Sequence, residues 1–368
     1  MNKLFVLIKT YHPEVTASGN LIKNLIPFFE EKYQTTVLTT TSKKNLQSSS
    51  TIIRFEKREE SSLESKLRNK LKLNNTVINR EMYSYLLTEI NNSKDKKIIL
   101  LPITLDEIAL AIKLKKQFPK KILLSPFLLE ELLVTYSKKV RSSLKIDLEI
   151  YSDILYVLPK LRSYFNCKEK VVILEHPMVR NEINLESPHT PSIVYAGGLN
   201  KRSRNPRSIL DWFYQNSQIE MTLDFYSYGN CEQMIINYEN KDNRIKANGP
   251  VSSNEVMKVM SNASFLITIG NRNPNLVPSK IFDCISTGNP IIHFYYSLED
   301  PYINYLENYR YSICLDINQI DTVRLNSFIQ NNLGNILPFE EIKEEYEFAL
   351  PQTIFNQLSV RMEEILLG

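Results

Sequence analysis

Residues 273–294 read NPNLVPSKIFDCISTGNPIIHF, and the order of residue types in them decides the fold class. Pro278 and Ser279 open a helix, Gly288 closes it, and Pro290 starts an apolar run, which is how a loop, a helix and a buried parallel strand are written. On that helix Lys280, Asp283 and Thr287 share one face, while Ile281, Phe282 and Ile285 share another. The polar face sets a cation and free backbone N–H groups toward an anion, with a carboxylate one turn deeper to accept from sugar hydroxyls. A nucleotide diphosphate sugar fits this order of groups. Capped helices followed by strands occur throughout α/β proteins, however, and Lys280 alone reads equally as a solvated lysine. The remainder of the chain has to carry the reading.

Working outward, apolar runs of strand length recur at residues 193–196, 223–226, 245–247, 265–269, 291–294 and 313–315, with helical stretches between them. The first half repeats the pattern at residues 4–8, 36–38, 98–101, 122–124, 154–157 and 171–174. Residues 181–192, NEINLESPHTPS, break the rhythm with prolines and polar side chains and place a domain boundary there. The expected organisation is α/β: a Rossmann-like domain over residues 1–184, a second over 185–350, and an amphipathic helix at 351–368 that packs back across the first. Two doubly wound domains then face each other across a cleft.

Composition narrows the functional classes. A chain of 368 residues with 43% hydrophobic residues can fill two cores, and a net charge of +4 over that length gives little support to nucleic-acid binding. The 4 cysteines, Cys167, Cys231, Cys284 and Cys314, never form C-x-x-C, so the sequence suggests neither zinc nor a disulfide framework, and a reducing cytoplasm is expected. The opening MNKLFVLIKTYHPE reads as a first buried strand, its apolar run being too short for a bilayer span.

Ligands of open parallel sheets sit outside the carboxyl ends of the strands, so the loops there hold the candidate residues. After the first strand, TYHPEVTASGN places Ser18 and Gly19 before an apolar helix starting near Leu21, where backbone N–H groups meet a phosphate or an acceptor hydroxyl, or simply form a cap and turn. His12 in that loop orients a hydroxyl or caps the turn, the latter being favoured. His176, His189 and His293 read as linker or strand residues, and Glu14 and Glu130 as acceptor contacts or solvated carboxylates. Residues 197–206, GGLNKRSRNP, combine Gly197 and Gly198 with Lys201, Arg202 and Arg204; an arginine fork suits a diphosphate, and Arg204 lies nearest the following helix. Gly249, Pro250 and Val251 expose backbone groups for the edge of a base. Asn273 and Asn275 precede Pro278, Ser279 and Lys280.

These motifs resemble the donor-binding domain of retaining GT-B glycosyltransferases, of the family 4 or group 1 kind that builds bacterial surface polysaccharides. That family carries a glutamate, seven residues and a second glutamate heading a helix that ends in glycine; counted back from Gly288, the second falls on Asp283 and the first on Asn275. The P-S-K-I-F-D run is similar to capsule and O-antigen members, which implies that Ser279 and Lys280 lie beside the donor diphosphate. The family's G-R-L turn is here Gly197, Gly198, Leu199, so Arg204 with Lys201 or Arg202 stands in for the missing arginine. The YHPE segment with Ser18 and Gly19 is similar to the family's Y-P-P-E and glycine loop. Its frequent histidine after the fourth strand is replaced by Leu101, Pro102, Ile103 and Thr104.

The resemblance implies a hexosyltransferase that uses a nucleotide diphosphate sugar, UDP-sugar favoured, without metal or other cofactor, with Lys280 and Arg204 stabilising the leaving diphosphate. A saccharide or polyprenyl-linked acceptor follows from the same likeness. Leu63, Leu67 and Leu71, interleaved with Lys66, Arg68, Lys70 and Lys72, read either as a helix buried on the first domain or as a basic face at residues 61–73 for an anionic membrane surface. The expected location is cytoplasmic, with a peripheral site on the inner face of the plasma membrane if that face is used. A catalytically silent GT-B subunit and a nucleotide-sugar epimerase are the alternatives.

Overall fold

The computed structural model describes residues 1–12, 16–41, 51–56, 78–93, 96–129, 138–184, 191–272 and 279–368. It divides into two units, Met1–Pro177 with Pro351–Gly368, and Met178–Leu350. The division falls at 177/178, ahead of the 184/185 boundary read from the prolines, because residues 178–184 already bond to the second unit: Met178 N–H donates to Ala349 O and Glu182 N–H to Ser286 O, each 3.1 Å.

In the first unit, strand β1 (Lys3–Ile8) is apolar on both faces because it runs through the middle of a parallel sheet. It pairs with β2 (Gln34–Thr41) at Lys3↔Gln34 and with β4 (Ile98–Pro102) at Leu4↔Ile99. Strands β3 (Ile52–Glu56) and β5 (Ile122–Leu124) complete the five-stranded order β3-β2-β1-β4-β5. Helices α1 (Ala17–Lys23) and α2 (Ile26–Lys32) follow β1; α3 (Arg80–Asn92) buries Met82, Leu86 and Ile90 at helical spacing, and α4 (Leu105–Gln117) follows β4. Residues 154–157 and 171–174 do not extend this sheet. As β7 (Leu155–Val157) and β8 (Val171–Ile173) they form a separate three-stranded sheet with β6 (Phe127–Leu128), and α5 (Lys138–Tyr151) precedes β7.

The second unit holds a six-stranded parallel sheet, β11-β10-β9-β12-β13-β14, made of β9 (Ser192–Leu199), β10 (Thr222–Gly229), β11 (Ile245–Ala247), β12 (Phe265–Ile269), β13 (Ile291–Tyr295) and β14 (Ser312–Asp316). Its helices are α6 (Arg207–Gln215), α7 (Glu232–Glu239), α8 (Ser253–Ser261), α9 (Lys280–Ser286), α10 (Pro301–Leu306), α11 (Thr322–Asn332) and α12 (Phe339–Glu345). The order reverses between β9 and β12, since chains leave these neighbours in opposite directions, and the loops beyond their carboxyl ends flank a ready-made ligand position. Strand β9 runs further than residues 193–196, so Gly197 and Gly198 end the strand instead of opening the loop.

Helix α9 stops at Gly288 for two reasons. Its φ of +74° is the left-handed cap conformation, and a Cβ there would lie 2.5 Å from Leu337 O. Thr287, expected on the open polar face, is fully buried as the C-cap, donating through Oγ1 to Cys284 O at 2.8 Å.

Helix α13 (Pro351–Leu367) belongs to the first unit, where it buries Ile354, Phe355, Leu358 and Met362. Phe355 stacks on Phe28 with centroids 5.8 Å apart and meets Phe29 edge-on at 5.6 Å, while the buried Tyr156 hydroxyl donates to Leu358 O at 2.6 Å. Each such apolar side chain contributes about 2 kcal/mol on leaving water. Among the described residues no helix is long and apolar enough to cross a membrane.

Candidate functional site

The loop after β9 folds back on itself. Asn200 N–H donates to Arg204 O (3.0 Å) and Arg204 N–H to Asn200 O (2.8 Å), which turns the Arg204 side chain toward the end of β12. There its Nη2 donates to Asn271 Oδ1 at 2.7 Å and its Nη1 to Gly198 O at 3.4 Å. Among the described residues the buried Nε has no hydrogen-bond partner, and the Tyr195 hydroxyl lies against the same guanidinium. Further ties join the same loops: Arg272 N–H donates to Ser203 O (3.4 Å), the Arg272 guanidinium lies 4.7 Å from the Tyr296 ring centroid, and Asn205 N–H donates to Tyr296 Oη (2.9 Å). The ends of β9, β12 and β13 are thus knitted into one surface.

Below Arg204 lies a buried polar layer. The Tyr195 hydroxyl donates to Gly198 O (3.0 Å); burial pushes its pKa up to about 12, and the Arg204 guanidinium partly opposes that rise. Tyr302 is raised further by complete burial, again opposed by Arg204 and reinforced by the Cys284 thiol of α9. Both tyrosines therefore feel Arg204 and α9 together. Asp300 accepts Tyr302 N–H through Oδ1 (3.0 Å), and its Oδ2 lies 3.5 Å from His293 Nε2, whose Nδ1 is 2.9 Å from Thr268 Oγ1. This layer packs directly under Gly270, where a Cβ would fall 1.7 Å from Asp300 Oδ2.

Helix α9 begins with Ser279 in a helical conformation and no side-chain cap, so no side chain of the cap residue occupies its first N–H groups. Lys280 Nζ is 3.4 Å from Asp283 Oδ2, and Arg180 Nη2 is 3.2 Å from Asp283 Oδ1. Arg180 is held by Glu182 through Nε (2.6 Å), by Met178 O (3.1 Å), and through its own N–H to Ser286 Oγ (3.1 Å). Asp283, expected to face ribose, thus sits between two cations. Among the described residues its Oδ1 still lacks a donor in hydrogen-bond geometry, because the Arg180 contact is an ion pair by distance only.

The other expected residues divide. Lys201 and Arg202 are exposed, held through backbone N–H groups by Asn230 Oδ1 (2.8 Å) and Asn200 Oδ1 (2.9 Å) respectively. Gly249, Pro250 and Val251 lead into α8, whose Ser252 and Glu255 form a reciprocal capping box. In the first unit, helix α1 starts at Ala17, not near Leu21, because Thr16 is its N-cap; the Gly19 N–H already donates to Thr16 Oγ1 at 3.0 Å, so Ser18 and Gly19 lie inside the first turn. His12 is exposed in the turn with its carbonyl bonded by Arg54 (2.7 Å), and slight burial with Lys23 and Arg54 lowers its pKa. His176 is buried against Glu175, with Nδ1 2.6 Å from Oε1. Asn273, Asn275, Pro278, Glu14, Glu130, His189 and residues 61–73 lie outside the described residues.

Asn271 and Arg180 are the contributors that sequence reasoning missed. The only local signal for Asn271 was its place just past a strand end, and Arg180 stands immediately before the 181–192 stretch that read as a domain boundary. Among the described residues, no group of three or more His, Cys, Asp or Glu side chains is placed to hold a metal ion.

This chain aligns with the apo lipopolysaccharide outer core galactosyltransferase WaaB at a TM-score of 0.65 and 15% identity, covering 99% of each chain. The chain has the GT-B fold. HepE from Anabaena in complex with UDP matches at a TM-score of 0.65 and 10% identity, over 99% of this chain and 100% of that one. The pneumococcal O-GlcNAc transferase GtfA in complex with UDP and GlcNAc matches at 0.63 and 10%, over 100% and 99%. At such identities the likeness speaks for fold alone. No protein-family model and no curated protein matches the chain.

Proposed function

We propose that this GT-B chain is a retaining, metal-independent glycosyltransferase. It moves a hexose from a nucleotide diphosphate sugar, with UDP favoured, to a glycan or lipid-linked saccharide in bacterial surface polysaccharide or glycoconjugate synthesis. On this reading the second unit binds the donor, the first binds the acceptor, and the protein works in the cytoplasm, with a peripheral site on the inner face of the plasma membrane only if the basic face at residues 61–73 is used instead of being buried on the first unit. The GT-B structures that hold UDP support the choice of donor.

One observation carries the proposal. The half-buried arginines of the second unit that serve structure have a carboxylate: Arg180 has Glu182 at 2.6 Å and Arg244 has Asp242 at 2.6 Å. Among the described residues Arg204 has only neutral partners, Asn271 Oδ1, Gly198 O and the Tyr195 hydroxyl, with a buried Nε left over. Burying a cation without a counter-charge is unfavourable, so an anion completes the site. Lys280 and the opening turn of α9, at the carboxyl edge of the adjacent strand, add positive potential where charge develops on a departing diphosphate.

The test is release of nucleoside diphosphate from UDP-, GDP- and ADP-sugars. Lys280→Ala is expected to lower turnover by about a hundredfold, the scale of one lost electrostatic contact to a leaving group, with circular dichroism unchanged. A catalytically silent binding subunit is the second reading, favoured by Lys280 Nζ lying 3.4 Å from Asp283 instead of standing free. Tight nucleotide binding without turnover on any donor would establish that alternative.

A further inference from the structure

Asn271 occupies a position where a carboxylate would make the more stable contact. It accepts from Arg204 Nη2 at 2.7 Å, and Arg204 is otherwise held by Gly198 O and by its own backbone bridge to Asn200. An aspartate of the same size would turn that hydrogen bond into an ion pair, as Asp242 does for Arg244. Asp300, the buried carboxylate behind Gly270, faces His293 instead. We infer that Asn271 is a positioning residue: its neutral amide oxygen clamps one arm of the Arg204 fork and so aims it, while the positive charge stays available to a bound diphosphate.

The inference rests on the donor-binding reading but makes a demand of its own. Geometry and charge must separate: a residue that merely braces the loop could be aspartate without consequence for ligand, whereas a neutral clamp could not. Asn271→Asp keeps the size and the accepting oxygen while neutralising Arg204. Asn271→Ala keeps the charge and frees the fork.

Calorimetric titration of the full-length protein with inorganic pyrophosphate, UDP and uridine separates the cases. Asn271→Asp is expected to weaken pyrophosphate and UDP at least about tenfold, the loss of one charge-assisted phosphate contact, while uridine binds as before and the thermal midpoint rises. Asn271→Ala is expected to weaken the same two ligands without raising the midpoint. Wild-type affinity for pyrophosphate in Asn271→Asp overturns the clamp and leaves the nucleotide-sugar reading intact. Pyrophosphate binding that responds to Asn271→Asp, together with no preference of the wild type for UDP over uridine, keeps the clamp and overturns that reading. A wild type that binds neither anion overturns both.

Discussion

Asp300 is held at one carboxylate oxygen, and its other oxygen crowds the backbone above it. One carboxylate oxygen caps α10 by accepting Tyr302 N–H at 3.0 Å, and the other lies 3.5 Å from His293 Nε2, with both side chains buried. Gly270 rests on this carboxylate, and a methyl group there would sit 1.7 Å from Oδ2, well inside contact distance. Gly270→Ala is therefore expected to destabilise the protein by about 1–3 kcal/mol, as overpacking against a buried neighbour does, and urea unfolding reads the shift. An unchanged midpoint would mean that Asp300 has somewhere to go. Because Asn271 follows directly, the same variant should also weaken pyrophosphate binding. At this scale the sequence showed cations well and their partners badly. Lys280 and Arg204 stand out as charged residues beyond strand ends, but Asn271 is marked only by its place past β12 and Arg180 by nothing local, and their roles arise when distant segments meet.

Helix α4 shows how an element can carry a cost at its start. Asp106 and Glu107 lie in its first turn and Lys115 and Lys116 in its last, the distribution that complements a helix dipole. Yet Glu107 is only 4% exposed, and burial raises its pKa from 4.5 to about 7 even though the Thr104 hydroxyl donates to it. Desolvation outweighs both the dipole and the hydrogen bond. Below pH 4.5 the group is protonated folded and unfolded, so it costs nothing; between 4.5 and about 7 the folded state binds more protons, and stability falls as pH rises. Above that window the full penalty, roughly 3 kcal/mol, is in place. Glu107→Gln keeps an oxygen for Thr104 to donate to, so it should match the wild type near pH 4 and exceed it near pH 8 in denaturant unfolding; equal stability at both pH values would show that the carboxyl is solvated. Element boundaries were legible in the same uneven way. Strands such as β12 and β13 are largely apolar runs because both faces are covered, Thr268 and His293 being the polar exceptions that pair with each other, whereas β3, IIRFE, and the two residues of β6 were too mixed or too short to announce themselves.

Across the whole molecule, the chain's last helix completes its first unit. The amphipathic pattern of residues 351–368 asks for cover, since a stripe with apolar side chains at 354, 355, 358 and 362 must be buried by something, but it does not say by which unit. The division at 177/178 was less legible, because residues 178–184 mix the buried Met178 and Val179 with polar side chains and join the second unit through backbone bonds that no composition rule reveals. Ending the chain at Leu350 removes Phe355 from Phe28 and Phe29 and leaves Tyr156 without its acceptor, Leu358 O. The buried apolar side chains Ile354, Phe355, Leu358 and Met362 at about 2 kcal/mol each approach the whole stability of an ordinary domain. The first unit should then lose its cooperative unfolding while the second keeps its own. The single tryptophan makes this measurable, for Trp212 is 3% exposed in the core of the second unit and reports on that unit alone. In the truncated protein the tryptophan fluorescence transition in urea should persist near its original midpoint, while far-ultraviolet circular dichroism falls before denaturant is added. If both signals collapse together, the units depend on each other and the last helix supports the entire fold.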